Sequence, residues 1–310
     1  MNSDAVSRSS TPSRILLWVR AARAPFLTAS LAPALLGAFA ARASAGALDY
    51  GKLIATLAGV SCIHLGANLA NDYYDEKTGC DRRNPEPTPF SGGSRVIQEG
   101  LIDPRAIMAV SSLLFAAGAA LGLHLNSLVP GNVVLYLCLA GVAGGFLYTA
   151  LPVKLSYRGL GEIAVFFCFG PLAVTGSYFV QTGSLDYRAL LASVPAGLLV
   201  LAILLVNEVL DVHWDRRAGK NTVVVRLGRE RGYALFLVIY TAAYAYIGAG
   251  TISGLYPPAA VVSIVPFALS IRFLLPGRAL RDREGNIGAS RLTILSQALT
   301  VALLALSFLF

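Results

Sequence analysis

Long apolar runs separated by short polar segments dominate the chain. Nine of these runs approach the roughly 20 mostly apolar residues that a membrane-spanning helix needs. They cover approximately residues 25–43, 52–71, 104–125, 131–149, 160–181, 188–210, 232–252, 257–276 and 290–309. Alternating strand patterns are missing, and a lipid-embedded segment must pair its own backbone hydrogen-bonding groups. The pattern therefore predicts an all-α polytopic membrane protein with nine transmembrane helices.

The composition agrees with a chain embedded in lipid. Hydrophobic residues make up 55% of the 310 residues, charged residues only 14%, and the mean hydropathy is +0.64. Soluble domains carry about 25% charged residues. We therefore expect a lipid bilayer, rather than water, around most of the chain.

Lysine and arginine are distributed unevenly among the predicted loops. With the N-terminus placed in the cytoplasm, only Arg42, Lys52 and Arg188 of the 25 basic residues fall on the opposite side. Cytoplasmic loops of membrane proteins carry such an excess of basic residues. The distribution predicts a cytoplasmic N-terminus and a C-terminus on the opposite side. It also accounts for the net charge of +8 without a nucleic-acid partner.

The N-terminal residues differ from the rest of the chain. Residues 1–14 are polar and rich in serine, so we expect a disordered tail there. Residues 15–310 are predicted to form a single transmembrane domain. Its first part, residues 15–24, combines basic and apolar faces in ILLWVRAARA, which predicts an amphipathic helix on the inner leaflet.

An acidic cluster lies where the second apolar run ends, in the stretch GANLANDYYDEKTGCD. Asn68, Asp72 and Asp75 are spaced i, i+4 and i+7, so they share one face of a helix. Glu76 falls off that face. A solvated helix end is the alternative interpretation, but aspartate at a helix C-terminus opposes the helix dipole.

A second acidic cluster ends the sixth apolar run, in NEVLDVHWDRRAGK. Asn207, Asp211 and Asp215 share one face at the same end of the predicted bundle. Neighbouring carboxylates repel each other unless a cation lies between them. Oxygen-only ligands suit a hard ion, and Mg²⁺ is usually held by carboxylates together with substrate phosphates. The two clusters therefore predict Mg²⁺ ions that bind a diphosphate.

Glycines and basic residues follow both clusters. Gly92, Gly93 and Arg95 lie in the loop after the first, and Arg217 and Lys220 come after the second. Glycine lets backbone amides approach an anion closely, and positive side chains complement diphosphate oxygens. We therefore expect a polar cap that binds the diphosphate of a substrate whose remainder is hydrophobic, as in isoprenoid diphosphates.

The paired motifs NLANDYYDEKTGCD and NEVLDVHWDRRAGKNTVVVRLG closely resemble those of the UbiA superfamily of intramembrane aromatic prenyltransferases. The resemblance extends from about residue 20 to the end of the seventh predicted helix. It implies nine transmembrane helices around a central cavity with a cytoplasmic polar cap. It also implies two aspartate-rich motifs that bind Mg²⁺ and a polyprenyl diphosphate, and an aromatic small molecule as prenyl acceptor.

Three further stretches resemble the 1,4-dihydroxy-2-naphthoate prenyltransferase branch, which serves menaquinone biosynthesis. They are RAARAPFLTASLAPALLG, LYTALPVKLSYRGLGEIAVFFCFGPLAV and DRRAGKNTVVVRLG. This likeness implies an enzyme of the bacterial inner membrane. The loop EPTPFSGGSRVIQEG departs from the Gly-Pro-Leu-Arg-like turn that is usual in the branch. Homogentisate, 4-hydroxybenzoate or a tetrapyrrole therefore stay open as alternative acceptors.

The acidic patterns and the resemblance together assign roles to individual residues. The predicted catalytic residues are Asp72, Asp75, Asp211 and Asp215, and the predicted metal ligands are these four with Asp81. The predicted substrate-binding residues are Asn68, Asn207, Arg95, Arg217, Lys220, Tyr148 and Lys154. Tyr148 and Lys154 are assigned to the acceptor by the resemblance alone.

Aromatic residues are candidates for stabilising the allylic cation that the reaction implies, through cation–π contact. The candidates are Tyr148, Phe166, Phe167 and Tyr178, and ordinary packing is the alternative for each. Glu162 is either a functional acid at membrane depth or a helix-end acid held by Arg158.

A transporter or a non-catalytic isoprenoid-binding protein is the alternative from a different functional class. A transporter should show broken helices or charges near the middle of the membrane. Here the acids gather at one end, which favours an enzyme.

Overall fold

The computed structural model describes residues 13–275, 280 and 282–310, and this part of the chain contains helices and no β-strand. The α-helices are α1 Arg14–Ala21, α2 Thr28–Ala45, α3 Tyr50–Thr78, α4 Pro104–Ser127, α5 Val133–Leu147, α6 Gly161–Phe167, α7 Ala173–Thr182, α8 Tyr187–Ala192, α9 Val194–Arg217, α10 Val223–Leu227, α11 Arg229–Ile252, α12 Val265–Leu274 and α13 Arg283–Ser307. The all-α prediction is confirmed.

Seven helical segments of the described chain are long and apolar enough to cross a membrane. They are Ala24–Ala45, Tyr50–Thr78, Pro104–Ser127, Gly161–Thr182, Tyr187–Arg217, Arg229–Ile252 and Arg283–Ser307. Val133–Leu147 and Pro258–Leu274 are apolar but shorter. All nine predicted runs thus coincide with helices, whereas the exact number of nine spans stays a prediction.

Helices α3 and α9 run several residues beyond the apolar segments from which they were predicted. α3 continues to Thr78 and is ended by Gly79, whose φ of 74° is the left-handed conformation common after helices. α9 continues to Arg217. Both acidic clusters are therefore helical, at what we call the acidic end of the bundle, where α3 and α9 terminate.

The fifth predicted helix is divided rather than continuous. A π-helical turn, Cys168–Leu172, joins α6 to α7 and contains Pro171. Proline lacks an N–H group and disturbs the hydrogen bonds of the preceding turn, which explains a local widening at this point. Phe169, within the turn, faces the central cavity.

Helix α1 is docked against the loop that follows α3. Residues 1–12 of the predicted tail lie outside the described residues. Ser13 caps the helix by accepting a hydrogen bond from the Leu16 amide at 3.3 Å. Arg20 donates to the Ser94 carbonyl oxygen at 2.8 Å and pairs with Glu99 at 2.7 Å. The predicted helix is thus present, and these contacts hold its C-terminal part at the acidic end.

The helices pack into two adjoining regions. α9, α11 and α13 enclose a core with buried Leu199, Phe236, Tyr240 and Leu304, and Leu36 of α2 completes it. On the other side of α9, the helices α2, α3, α5, α6 and α7 surround a cavity. One side of α9 therefore packs into the hydrophobic core, while the other side forms a wall of the cavity.

Close packing of α2 against α7 depends on Gly37. A Cβ atom at this position would lie 2.1 Å from the carbonyl oxygen of Val174, which is backbone and cannot rotate away. We expect Gly37→Ala to lower the free energy of unfolding by about 1–3 kcal/mol. Thermal unfolding of the detergent-solubilised protein measures this loss.

Gly288 of α13 offers the matched control for this substitution. A Cβ atom there would meet nothing within 4 Å. Gly288→Ala should therefore leave the unfolding temperature unchanged or raise it slightly. Equal behaviour of the two variants would contradict the close contact between α2 and α7.

Candidate active site

A cavity of about 370 Å³ extends from the acidic end into the apolar interior of the bundle. Its interior wall includes Val60 and Ile63 of α3, Leu137 of α5 and Val200 of α9. Carboxylates and amides concentrate at its mouth. The cavity thus joins a polar mouth to an apolar chamber.

Most of the predicted site residues line this cavity. Those in its wall are Asn68, Asp75, Asp81, Tyr148, Asn207, Asp211, Asp215 and Lys220. Four others, Asp72, Arg95, Lys154 and Arg217, lie outside the wall. The fold therefore brings the two distant acidic clusters to one place.

Lys220 lies between the two acidic clusters. Its Nζ atom is 3.4 Å from Oδ2 of Asp75 and 3.9 Å from Oδ1 of Asp215. Burial alone lowers the pKa of Lys220, but the carboxylates of Asp215 and Asp75 outweigh burial and raise the pKa well above its usual value. The ammonium is therefore a permanent positive charge at the mouth of the cavity.

Further hydrogen bonds hold the Asp75 carboxylate in a defined orientation. The Tyr157 hydroxyl donates to Oδ1 at 2.7 Å, and the Asn71 amide donates to Oδ2 at 3.3 Å. Tyr157 lies in the short segment between α5 and α6, and Thr78 bonds to its hydroxyl at 2.6 Å. With Lys220, residues from three parts of the chain thus hold one carboxylate: α3 itself, the segment between α5 and α6, and the residues after α9.

Asp81 lies beside Asp75 and Cys80, with one ligand atom of each within 4.8 Å of the others. Its Oδ2 atom is buried without a hydrogen-bond partner. Burial raises the pKa of Asp81 well above its usual range, and the charges of Asp75 and Asp72 raise it further. Gly93 permits this position, because a Cβ atom there would lie 2.2 Å from Oδ2 of Asp81.

Asp72 is buried behind the cavity wall rather than in it. Its Oδ1 atom pairs with Arg23 at 2.6 Å, and the Ser94 amide donates to its Oδ2 atom at 3.2 Å. Arg23 itself lines the cavity. In this structure Asp72 therefore orients a cation toward the mouth.

Residues 84–95, which we call the cap loop, contact both clusters. Asn84 donates to Oδ1 of Asp211 at 3.2 Å, and Arg95 donates to the Asp81 carbonyl oxygen at 2.7 Å. Arg95 adopts a left-handed conformation with a φ of 69°. Its guanidinium thus holds the loop over the acids instead of lining the cavity.

The remaining predicted cations lie at the edge of the site. Arg217 is exposed and stacks on Trp214, with 5.4 Å between the guanidinium carbon and the ring centre. Lys154 lies over the Tyr157 ring at 4.7 Å. Trp214 lines the cavity and Tyr157 lies next to it. Arg217 and Lys154 therefore contact aromatic neighbours of the site and would not touch a ligand inside the cavity directly.

The aromatic residues in the cavity wall are mostly not those singled out in the sequence. Tyr148 lines the cavity, as do Phe26, Phe90, Phe169 and Trp214. Phe166, Phe167 and Tyr178 lie outside the wall, and Tyr178 donates to Asp186 at 3.3 Å. The stretch FFCFG does contain the inward-facing Phe169. An apolar run alone does not show which of its aromatic rings faces the cavity.

Glu162 is not held by Arg158. The Arg158 guanidinium donates to the Pro152 carbonyl oxygen at 3.0 Å, whereas Glu162 accepts from the Val223 amide at 2.5 Å. Glu162 is buried and ties α6 to the start of α10. Of the two sequence-based interpretations, a helix-end acid paired with Arg158 is therefore wrong.

Several residues of the site were missed in the sequence. Arg23, Asn71, Asn84 and Glu208 all line the cavity. Asn71 precedes Asp75 by four residues and Glu208 precedes Asp211 by three, so helical spacing could have found both. Arg23 and Asn84 lie in other segments, and nothing in their local sequence points to an acid.

The residues at the mouth fit a divalent cation. Five acids of the described chain line the cavity, against the two cations Arg23 and Lys220 and the imidazole of His64. The acids are Asp75, Asp81, Glu208, Asp211 and Asp215. The carboxylate oxygens suit a hard ion such as Mg²⁺, and the unpartnered Oδ2 atom of Asp81 is one free ligand atom.

Comparison with known proteins agrees with this geometry. Residues 30–309 match the UbiA prenyltransferase family. The 1,4-dihydroxy-2-naphthoate octaprenyltransferase of Mycobacterium tuberculosis is 33% identical to this chain, over 92% of this chain and 95% of its own length. The enzyme of the same name from Bacillus subtilis is 29% identical, over 78% of this chain and 76% of its own.

A solved structure supports the same fold. A UbiA homologue from Archaeoglobus fulgidus, bound to GPP and Mg²⁺, superimposes with a TM-score of 0.65 at 15% sequence identity. The alignment covers 93% of this chain and 99% of that protein. This alignment shows the fold, while the match over residues 30–309 and the 33% identity to the Mycobacterium tuberculosis enzyme show that the chain belongs to the UbiA prenyltransferase family and is an integral membrane prenyltransferase.

Proposed function

We propose that the enzyme transfers a prenyl group from a polyprenyl diphosphate to 1,4-dihydroxy-2-naphthoate, in a reaction that requires Mg²⁺. The observation that carries this proposal is the meeting of two acidic clusters, on α3 and α9, at the mouth of an apolar cavity. The two relatives named for this acceptor support its identity.

The metal-binding residues we propose are Asp75, Asp81, Asp211 and Asp215, with Asp72 joining when Arg23 turns toward the diphosphate. When bound, Mg²⁺ neutralises charge on the leaving diphosphate. Asn68 and Asn207 lie one turn deeper in the cavity than the acids, where their amides bind the substrate. The carboxylates thus mark the diphosphate end of the site.

Two cations of the chain act on the diphosphate directly. Arg23 and Lys220 line the cavity and bind the diphosphate oxygens as the bond to the prenyl carbon breaks. Arg95 acts indirectly by holding the cap loop, and Arg217 supports Trp214 in the wall. The apolar wall of the chamber keeps water away from the prenyl cation, which water would otherwise capture.

The acceptor binds between the diphosphate and the apolar chamber. Tyr148 lines this part of the cavity, and Lys154 with Tyr157 lies in the adjoining loop. The aromatic faces of Tyr148 and Phe169 are available to the cation. The chamber below them accommodates the prenyl chain.

The placement in the membrane follows from the charge distribution. The basic residues gather around the acidic end, which supports a cytoplasmic mouth and N-terminus and a C-terminus on the opposite side. We propose a multi-pass protein of the bacterial inner membrane, with one transmembrane domain that includes α1 from Arg14 onward, two residues into the predicted tail once its cap Ser13 is counted.

Product analysis tests this proposal. Membranes containing the enzyme are incubated with octaprenyl diphosphate, Mg²⁺ and single acceptors: 1,4-dihydroxy-2-naphthoate, homogentisate, 4-hydroxybenzoate or a tetrapyrrole. We expect mass spectrometry to find a prenylated naphthoquinol product, and none after chelation of Mg²⁺. A product with another acceptor alone would overturn the naphthoate assignment. Absence of product with every acceptor would instead favour isoprenoid binding without transfer.

A further inference from the structure

Two buried carboxyl groups near the mouth take no part in the mechanism described so far. Glu208 of α9 is 7% exposed and lines the cavity, and Glu162 of α6, 5% exposed, lies behind it. An ionisable residue inside a transmembrane bundle is costly and is a functional candidate by default. The pair therefore requires an explanation.

Glu162 accepts a hydrogen bond from the backbone of another segment, whereas Glu208 does not. One carboxyl oxygen of Glu162 accepts from the Val223 amide at 2.5 Å. The Glu208 side chain approaches that of Glu162, yet its Oε2 atom has no hydrogen-bond donor. One proton shared between the two carboxyl groups would join one oxygen of each, and the Val223 amide occupies the other oxygen of Glu162, so one carboxyl oxygen of Glu208 remains for a donor on a ligand.

The neighbours of Glu208 place it at the acceptor end of the site. Tyr148, the tyrosine assigned to the acceptor, lines the same cavity and lies near Glu208, Lys220 and Glu162. Asn207, the preceding residue, also carries a buried Oδ1 atom without a donor. This part of the wall therefore presents two hydrogen-bond acceptors that lack donors.

The chemistry of the substrates identifies what can supply a donor. A prenyl chain has no hydrogen-bond donor, and a diphosphate is repelled by a carboxylate. A hydroxylated aromatic ring has O–H groups, and a buried acceptor oxygen without a donor gains a hydrogen bond when such a ring binds. We propose that Glu208 binds a ring hydroxyl of the aromatic acceptor and so determines selectivity for hydroxylated rings. This inference rests on the proposed function.

Kinetics of two substitutions test this role. We expect Glu208→Leu to raise the KM for 1,4-dihydroxy-2-naphthoate at least about tenfold, because a buried hydrogen bond to the ring hydroxyl is lost. Glu208→Gln keeps one acceptor oxygen and should raise it less. The KM for octaprenyl diphosphate should stay unchanged in both variants. Leucine suits a buried helix position, so folding should be retained.

A methylated analogue separates hydrogen bonding from shape. The purified enzyme should bind 1,4-dihydroxy-2-naphthoate at least about tenfold more tightly than its 1,4-dimethoxy analogue, which has no donor on the ring. In Glu208→Leu this preference should disappear. A purely structural role for Glu208 would weaken both ligands alike.

Glu76→Gln is the matched control. Glu76 is also a buried acid at the acidic end of the bundle, with 8% of its surface exposed, but it does not line the cavity. It should leave acceptor binding unchanged. The proposal is overturned if both Glu208 variants keep the wild-type acceptor KM and the preference for the hydroxylated ligand, or if the KM values of both substrates rise equally. The comparison of ligand binding needs no turnover. It therefore tests the role of Glu208 even if prenyl transfer itself is not observed.

Discussion

Asp75→Asn is expected to lower kcat/KM for prenyl transfer about a thousandfold, at the upper end of the losses seen when one stabilising group is removed from an active site. Asparagine keeps the shape of the side chain and can still accept from the Tyr157 hydroxyl, which lies 2.7 Å from Oδ1. It removes the negative charge that faces Lys220 and the proposed metal. Initial rates at saturating Mg²⁺, with the concentration of each substrate varied in turn, measure the loss.

The adjacent acid provides the control for this prediction. Glu76 pairs with Arg82 and accepts from Gln98 at 3.0 Å, outside the cavity. Glu76→Gln should therefore retain most of the activity. Comparable losses in both variants would mean that any acid near the end of α3 affects folding, and would remove the support for a specific role of Asp75.

Lys220→Ala is expected to lower kcat/KM about a hundredfold. Its ammonium is the cation that lies between Asp75 and Asp215, at 3.4 Å and 3.9 Å. Without it, charge that develops on the diphosphate loses one of its two proposed cationic partners from the chain. Lys220→Arg should recover part of the rate, because the charge is kept while the geometry changes.

Lys77→Ala is the control for the lysine substitution. Lys77 belongs to the last turn of α3, but its side chain is exposed and lies over the Tyr73 ring at 4.7 Å. We expect its removal to leave the rate within about twofold, as is usual for surface changes. A wild-type rate in Lys220→Ala would show that the lysine only balances charge in the free enzyme.

The helical framework was predictable because lipid imposes a simple rule. Apolar runs of about 20 residues have to be helices, and all nine runs are helical. Helix ends were less predictable: α3 reaches Thr78 because polar residues there are satisfied by side chains from elsewhere. The widening at Cys168–Leu172 depends on how Pro171 is accommodated, which an apolar pattern does not reveal.

The acidic site was predictable where its residues share a helix. Spacing alone brought Asn207, Asp211 and Asp215 to one face, and all three line the cavity. The partners of the acids were not predictable in this way. Arg23 reaches Asp72 across 49 residues, and Asn84 reaches Asp211 across 127. Such pairs depend on the packing of segments, not on local pattern.

The two acidic clusters are proposed to act as one site, and a double substitution tests this most directly. Prenyl transfer is measured for Asp75→Asn, for Asp215→Asn and for the variant with both changes. Residues that act as a unit have non-additive effects, so we predict that the double variant is about as slow as the slower single variant. A loss equal to the product of the two single losses would contradict a shared metal–diphosphate site.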